Sequence, residues 1–192
     1  MLSRFSAWLL KQLGWTVNAD FPDTQKYVLI VAPHTSNWDF PLGILAAKAL
    51  KLEPRWMGKH TIFKWPVAWF FRALGGIPID RTHAVNTIEQ MASLFKQSER
   101  LVLALAPEGT RSRQNHWKTG FYRIARGAKV PIAMAFLDYP RKQIGMGGTF
   151  EPGEDIEEVF VRIEAFYADR RGKHPELECP IRVRPSRKTS EK

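Results

Sequence analysis

His34 and Asp39 stand five residues apart in His34-Thr35-Ser36-Asn37-Trp38-Asp39, directly after the apolar run Tyr27 to Ala32. An imidazole delivered by the C-terminal end of a buried strand, with a carboxylate close behind it, builds a general base. His34 takes the proton of a hydroxyl, while Asp39 selects the ring tautomer and steadies the imidazolium that forms. No nucleophile of the protein is needed, because the substrate hydroxyl itself attacks. The pair alone does not decide the matter. His and Asp at this spacing arise by chance, and Asp39 equally suits the first turn of a helix, where the dipole favours a carboxylate.

Further along lie two turns that end in guanidinium groups. Gly75-Gly76-Ile77-Pro78-Ile79-Asp80 is followed by Arg81, and Pro107 by Glu108-Gly109-Thr110-Arg111-Ser112. A guanidinium offers phosphate a two-pronged fork and never loses its charge. Taken singly, each arginine fits a surface ion pair, with Asp80 or Glu108, better. Lys118 is a weaker candidate for the same anion. Backbone N–H groups at the helix start after His34, or in the Glu108 to Thr110 turn, are expected to stabilise an oxyanion, and Gly109 would let a substrate approach closely. The five histidines are scattered with no zinc spacing, so no metal site is expected, and Cys179, next to Pro180, is read as an unreactive residue.

The four blocks His34 to Asp39, Gly75 to Arg81, Pro107 to Ser112 and Val130-Pro131-Ile132-Ala133, in this order, resemble the glycerolipid acyltransferase family, best known for its 1-acylglycerol-3-phosphate O-acyltransferases. The resemblance runs from about Tyr27 to Phe136, and its specific parts are H-x-x-x-x-D and E-G-T-R-S. It implies a glycerol-3-phosphate acyltransferase-like fold. The implied activity is transfer of a fatty acyl group from acyl-CoA or acyl-carrier protein to the free hydroxyl of a lysophospholipid, foremost 1-acylglycerol-3-phosphate, to give phosphatidate. His34 and Asp39 are then the catalytic dyad, Arg81, Glu108, Gly109 and Arg111 hold the phosphorylated acceptor, and Thr110 and Ser112 complete the acceptor block. No cofactor is implied beyond the thioester donor. The chain is shorter than expected of the family, so another lysolipid or an amino-acid-derived acceptor stays open, as does a non-catalytic lipid-binding role.

A net charge of +10 attracts anions: nucleic acid, phosphorylated metabolites or an anionic membrane. Nucleic acid is disfavoured, because no helix-turn-helix, zinc finger or aromatic RNA-binding strand motif is present. No run nears the roughly 18 apolar residues of a spanning helix, so a peripheral place on the cytoplasmic membrane face is expected. Leu2, Phe5, Leu9 and Leu13 form a wide apolar helical stripe with Arg4 and Lys11 at its margin. That stripe fits a helix lying in a headgroup layer and an ordinary packed helix equally. The aromatic stretch Phe63 to Phe71 is read as core, although Trp65 and Trp69 beside Lys59, His60 and Lys64 also suit the headgroup boundary.

Fully apolar strands are predicted at Tyr27 to Val31, Leu101 to Ala106 and Pro131 to Leu137, with shorter ones at Arg55 to Lys59, Ile77 to Ile79 and Arg141 to Met146. Between them, helical spacing marks Phe40 to Leu50, capped by Ser36 or Asn37, then Ile62 to Leu74, Ala84 to Gln97 and Phe121 to Arg126. A last helix is marked by Ile156, Val159 or Phe160, Ile163 and Phe166 or Tyr167. The alternation predicts a single α/β sandwich, a largely parallel or mixed sheet flanked by helices. Three parts are expected: an N-terminal amphipathic helix (1–25), the catalytic domain (26–178) and a basic flexible tail (179–192). Such sheets carry their sites at the C-terminal ends of strands, so His34 and Glu108 should meet at one edge.

Overall fold

The computed structural model describes residues 2–79 and 84–184. One mixed sheet of seven strands forms its centre, in the order β1-β7-β6-β2-β5-β3-β4. The strands are β1 (Thr16–Ala19), β2 (Lys26–Ala32), β3 (Arg55–Lys59), β4 (Gly76–Ile79), β5 (Leu101–Leu105), β6 (Ile132–Asp138) and β7 (Gln143–Phe150). Among the described strands only β6 and β7, joined by a tight turn, pair antiparallel. The central strand β2 runs beside β5 and β6, with Val28 opposite both Leu103 and Ile132. All three residues are fully buried, as expected of strands covered on both faces.

Helices α1 (Leu2–Gln12), α2 (Asp39–Ala49) and α3 (Ala68–Ala73) cover one face, and α4 (Ala84–Gln97), α5 (Gly120–Ala128) and α6 (Ile156–Tyr167) the other. The α4 to α6 side holds the larger core, built around Phe95, Trp117, Phe121, Ile124 and Ile163. On the other side, Leu10 of α1 packs with Leu42 and Ala46 of α2 against Leu137 and Ile144 of the sheet.

Four expectations need correction. The predicted helix Ile62 to Leu74 is a 3-10 turn at His60–Ile62 and the short α3, because Pro66 has no N–H to donate where a continuous helix would need one. Neither Ser36 nor Asn37 caps α2: its N-cap is Trp38, without a side-chain bond. The N-terminal part is not separate, since β1 pairs with β7 as an edge strand of the same sheet. The tail is not wholly loose either. Cys179 is buried, Ile181 and Val183 pack on the larger core, and Trp117 donates its backbone N–H to the Arg182 carbonyl.

The two readings of the first helix both describe part of it. Ser6 and Leu10 are buried against the domain, and the Ser3 hydroxyl bonds the Ala49 carbonyl, while Leu2, Phe5 and Trp8 point outward.

Candidate active site

Strands β2 and β5 are parallel neighbours, so the loops leaving their C-terminal ends emerge side by side. The β2 loop carries His34, and the β5 loop carries Glu108 to Ser112. Ser36 lies between His34 and Asp39, and its backbone turns the chain back on itself. The Ser36 N–H donates to Asp39 Oδ2 at 2.9 Å, and the Asp39 N–H donates to the Ser36 carbonyl. This turn sets His34 Nδ1 3.1 Å from Asp39 Oδ2, with Asp39 buried and the His34 ring about one-fifth exposed. With Nδ1–H donating to the carboxylate, the lone pair lies on Nε2, the nitrogen that has no partner among the described residues.

A third group completes the arrangement. The Tyr139 hydroxyl, from the turn after β6, donates to Asp39 Oδ1 at 2.7 Å, and its ring stands edge-on to Trp15 at 5.1 Å. Burial pushes the Asp39 carboxyl up, but the bonds from His34, Tyr139 and the Ser36 N–H outweigh it, and the group ends below the ordinary carboxylate range. Asp39 is therefore a carboxylate held from three directions. The same surroundings push the Tyr139 phenol well up, burial first and the neighbouring Asp39 next, so the hydroxyl keeps the proton it donates.

Glu108, expected among the acceptor-binding residues, is buried behind the His34 loop. Its side chain is 2 % exposed, and Oε1 accepts the backbone N–H of His34 at 2.7 Å. Burial drives its carboxyl above the ordinary range, against the opposing effects of the His34 N–H and the neighbouring Cys179 thiol. Out of reach of solvent, it braces the histidine from behind the loop. Its Oε2 lies buried without a hydrogen bond among the described residues, as does Trp117 Nε1. Both residues line a cavity of about 200 Å³ that is shared with Tyr167, Arg170, Glu178 and Cys179.

Arg111 reaches across between the two motifs. Its Nε donates to the Ser36 carbonyl at 3.1 Å, so the guanidinium lies against the very turn that joins His34 to Asp39. The Gly109 backbone has φ +70°, and a Cβ there would meet the Lys118 side chain at 2.8 Å. Absence of a side chain at Gly109 thus lets Lys118 lie across the turn, adding a second cation. Thr110 is half-buried, and its Oγ1 accepts the Ser112 N–H at 3.3 Å; Ser112 is exposed. Arg81 lies outside the described residues. The expected oxyanion donors do not include the N–H groups of His34, Ser36, Trp38, Asp39 or Gly109, each of which already donates within the protein. The reading from residues missed Tyr139, a hundred positions from Asp39, and no local spacing could have found it.

Residues 16–135, more than half of the chain, match the model of the Acyltransferase family. The chain belongs to that family. The match starts at β1 and ends within β6, so it spans both motif loops, and the protein is an acyltransferase. The crystal structure of the 1-acyl-sn-glycerophosphate (LPA) acyltransferase PlsC from Thermotoga maritima shares the fold. It matches at 18% identity with a TM-score of 0.60, over 86% of this chain and 74% of that one. No curated protein matches this acyltransferase.

Proposed function

We propose that this acyltransferase moves a fatty acyl group from a thioester, acyl-CoA or acyl-carrier protein, to the free hydroxyl of a lysophospholipid, foremost 1-acylglycerol-3-phosphate, to give phosphatidate. The observation that carries the reading is Arg111 lodged on the Ser36 carbonyl between base and carboxylate. A hydroxyl on His34 Nε2 would have a phosphate-matching cation beside it, supported by Lys118 across Gly109. Such a pairing of a proton acceptor with an anion holder suits an alcohol that carries a phosphate.

The steps balance with these groups alone. His34 Nε2 takes the hydroxyl proton as the oxygen attacks the thioester carbonyl. The tetrahedral intermediate collapses with cleavage of the C–S bond, and the imidazolium returns the proton to the departing thiolate. Asp39 stabilises the imidazolium, Tyr139 and the Ser36 N–H hold Asp39, and Glu108 fixes the His34 backbone. The acceptor and product are amphiphiles, so the enzyme works against an anionic membrane surface, on its cytoplasmic side.

The test supplies purified protein with a panel of lysolipids and labelled acyl-CoA or acyl-carrier protein, alongside His34→Ala. Loss of general-base catalysis lowers the rate by roughly 10²- to 10⁴-fold. Label in another lysolipid but not in lysophosphatidate would replace the acceptor, and equal turnover by His34→Ala would remove the mechanism.

A further inference from the structure

The two helical layers differ in what they show to water. Among the described residues, twelve large hydrophobic side chains are exposed, and α6 contributes only Val161 to them. Four belong to α1 and the residue just after it: Leu2, Phe5, Trp8 and Leu13. Five belong to the crossing from β3 to β4, between His60 and Ala73. In that crossing Trp65 is 92 % exposed and Trp69 72 %, with Val67 and Phe70 also outward.

Indole rings so fully in water serve no structural purpose, since a large apolar side chain stabilises a fold only when it is buried. The fold has inward aromatics in the same crossing. Phe63 stacks on Trp56 at 5.7 Å, and Phe71 meets both of them, so the segment is anchored without using Trp65 or Trp69.

Charge narrows the partner. From Pro54 to Ile79 the chain carries Arg55, Lys59, Lys64 and Arg72, with His60, and no Asp or Glu. Lys59, His60, Lys64 and Arg72 are exposed in the same crossing as the tryptophans. Exposed aromatic rings in a segment that carries cations and no acidic residue suit an anionic headgroup layer, where rings enter the boundary and cations meet lipid phosphates.

Position ties the patch to the chemistry. Phe40, the residue after Asp39, packs on Trp56 at 4.9 Å and on Phe71 at 6.3 Å. The aromatic crossing therefore buttresses the start of the helix that carries the dyad's carboxylate.

We propose that the β3-to-β4 crossing, Lys59 to Arg72, is the surface by which the enzyme docks on an anionic bilayer, with Trp65 and Trp69 inserted at the headgroup boundary. The inference rests on the lipid-acceptor reading above and names the face that reading leaves open.

The test measures co-sedimentation of the full chain with phosphatidylglycerol-rich and pure phosphatidylcholine vesicles. It compares wild type with Trp65→Ser/Trp69→Ser, Lys59→Gln/Lys64→Gln and Trp8→Ser. The tryptophan pair should lower partition onto the anionic vesicles by about tenfold or more, in line with its share of insertable apolar area. Thermal stability and turnover of a monomeric short-chain lysolipid should be kept. The lysine pair should weaken binding to the anionic vesicles alone. Brominated lipids should quench the wild-type tryptophan fluorescence, a readout that does not depend on any variant folding.

Unchanged partition of the tryptophan variant, loss seen only with Trp8→Ser, or absence of quenching would overturn the proposal. So would self-association without lipid that the tryptophan variant abolishes, since the patch would then meet a second copy. Vesicle binding through these tryptophans in a protein that acylates no lysolipid would leave the docking surface standing and remove the acceptor assignment.

Discussion

Tyr139 gives the dyad a property that neither member has alone. Its hydroxyl donates to the Asp39 oxygen opposite His34 and so fixes which way the carboxylate faces. Tyr139→Phe keeps the edge-on contact with Trp15 and deletes only the donor. Losing a hydrogen bond to a charged group should lower kcat about tenfold with KM unchanged. Turnover equal to wild type would leave Tyr139 a packing residue only. How much of the site could be read in advance follows from distance along the chain. His34, Asp39 and Arg111 stand in short blocks whose residue types suggest their chemistry. Tyr139 reaches Asp39 through the sheet order, which places β6 next to β2 and which no spacing records. Glu108 was seen for its motif, but its direction was not, because a glutamate in a Gly-containing turn faces solvent or backbone with equal ease.

Among the elements, the long apolar ones were the legible ones. Tyr27 to Val31 and Leu101 to Ala106, buried except at their half-buried C-terminal ends, read as unbroken hydrophobic runs, which became β2 and β5. β1 was missed because four residues alternating between exposed and half-buried, at a sheet edge, carry too little pattern. α3 was overextended because a dense aromatic stretch resembles one helical stripe, although its rings divide between inward and outward. The Gly75-Gly76 turn that ends it was read correctly, and the reason is steric. Gly75 sits at φ +87°, and a Cβ there would fall 2.4 Å from the Pro54 carbonyl oxygen. Gly75→Ala should destabilise the protein by more than about 1 kcal/mol, from the left-handed backbone and the clash together. Urea unfolding measures it, and a variant of wild-type stability would contradict the stated geometry.

At the scale of the whole molecule, two buried carboxyl groups beside the His34 loop tilt stability in opposite senses with pH. Asp39 lies below its ordinary pKa, so it adds stability above the unfolded value, and that stability is lost as pH falls through the folded one. Glu108 lies above its ordinary pKa, so the folded chain holds that proton more tightly, and stability falls as pH rises from the unfolded value to the folded one. Glu108→Gln retains an acceptor for the His34 N–H and removes the second effect. Across that window the stability difference, followed by urea unfolding at a series of pH values, should shift in favour of the variant as pH rises; a shift the other way would contradict the raised pKa. The sheet order also governs when the molecule can close. Thr16 of β1 lies opposite Gln143 of β7, so β1 finds its partner only after more than a hundred further residues have been synthesised. Closing so wide a loop is slow. On the ribosome, this edge is then among the last seams of the sheet to be sewn, and until it is, β1 hangs as an unmatched hem beside a chain still being spun out.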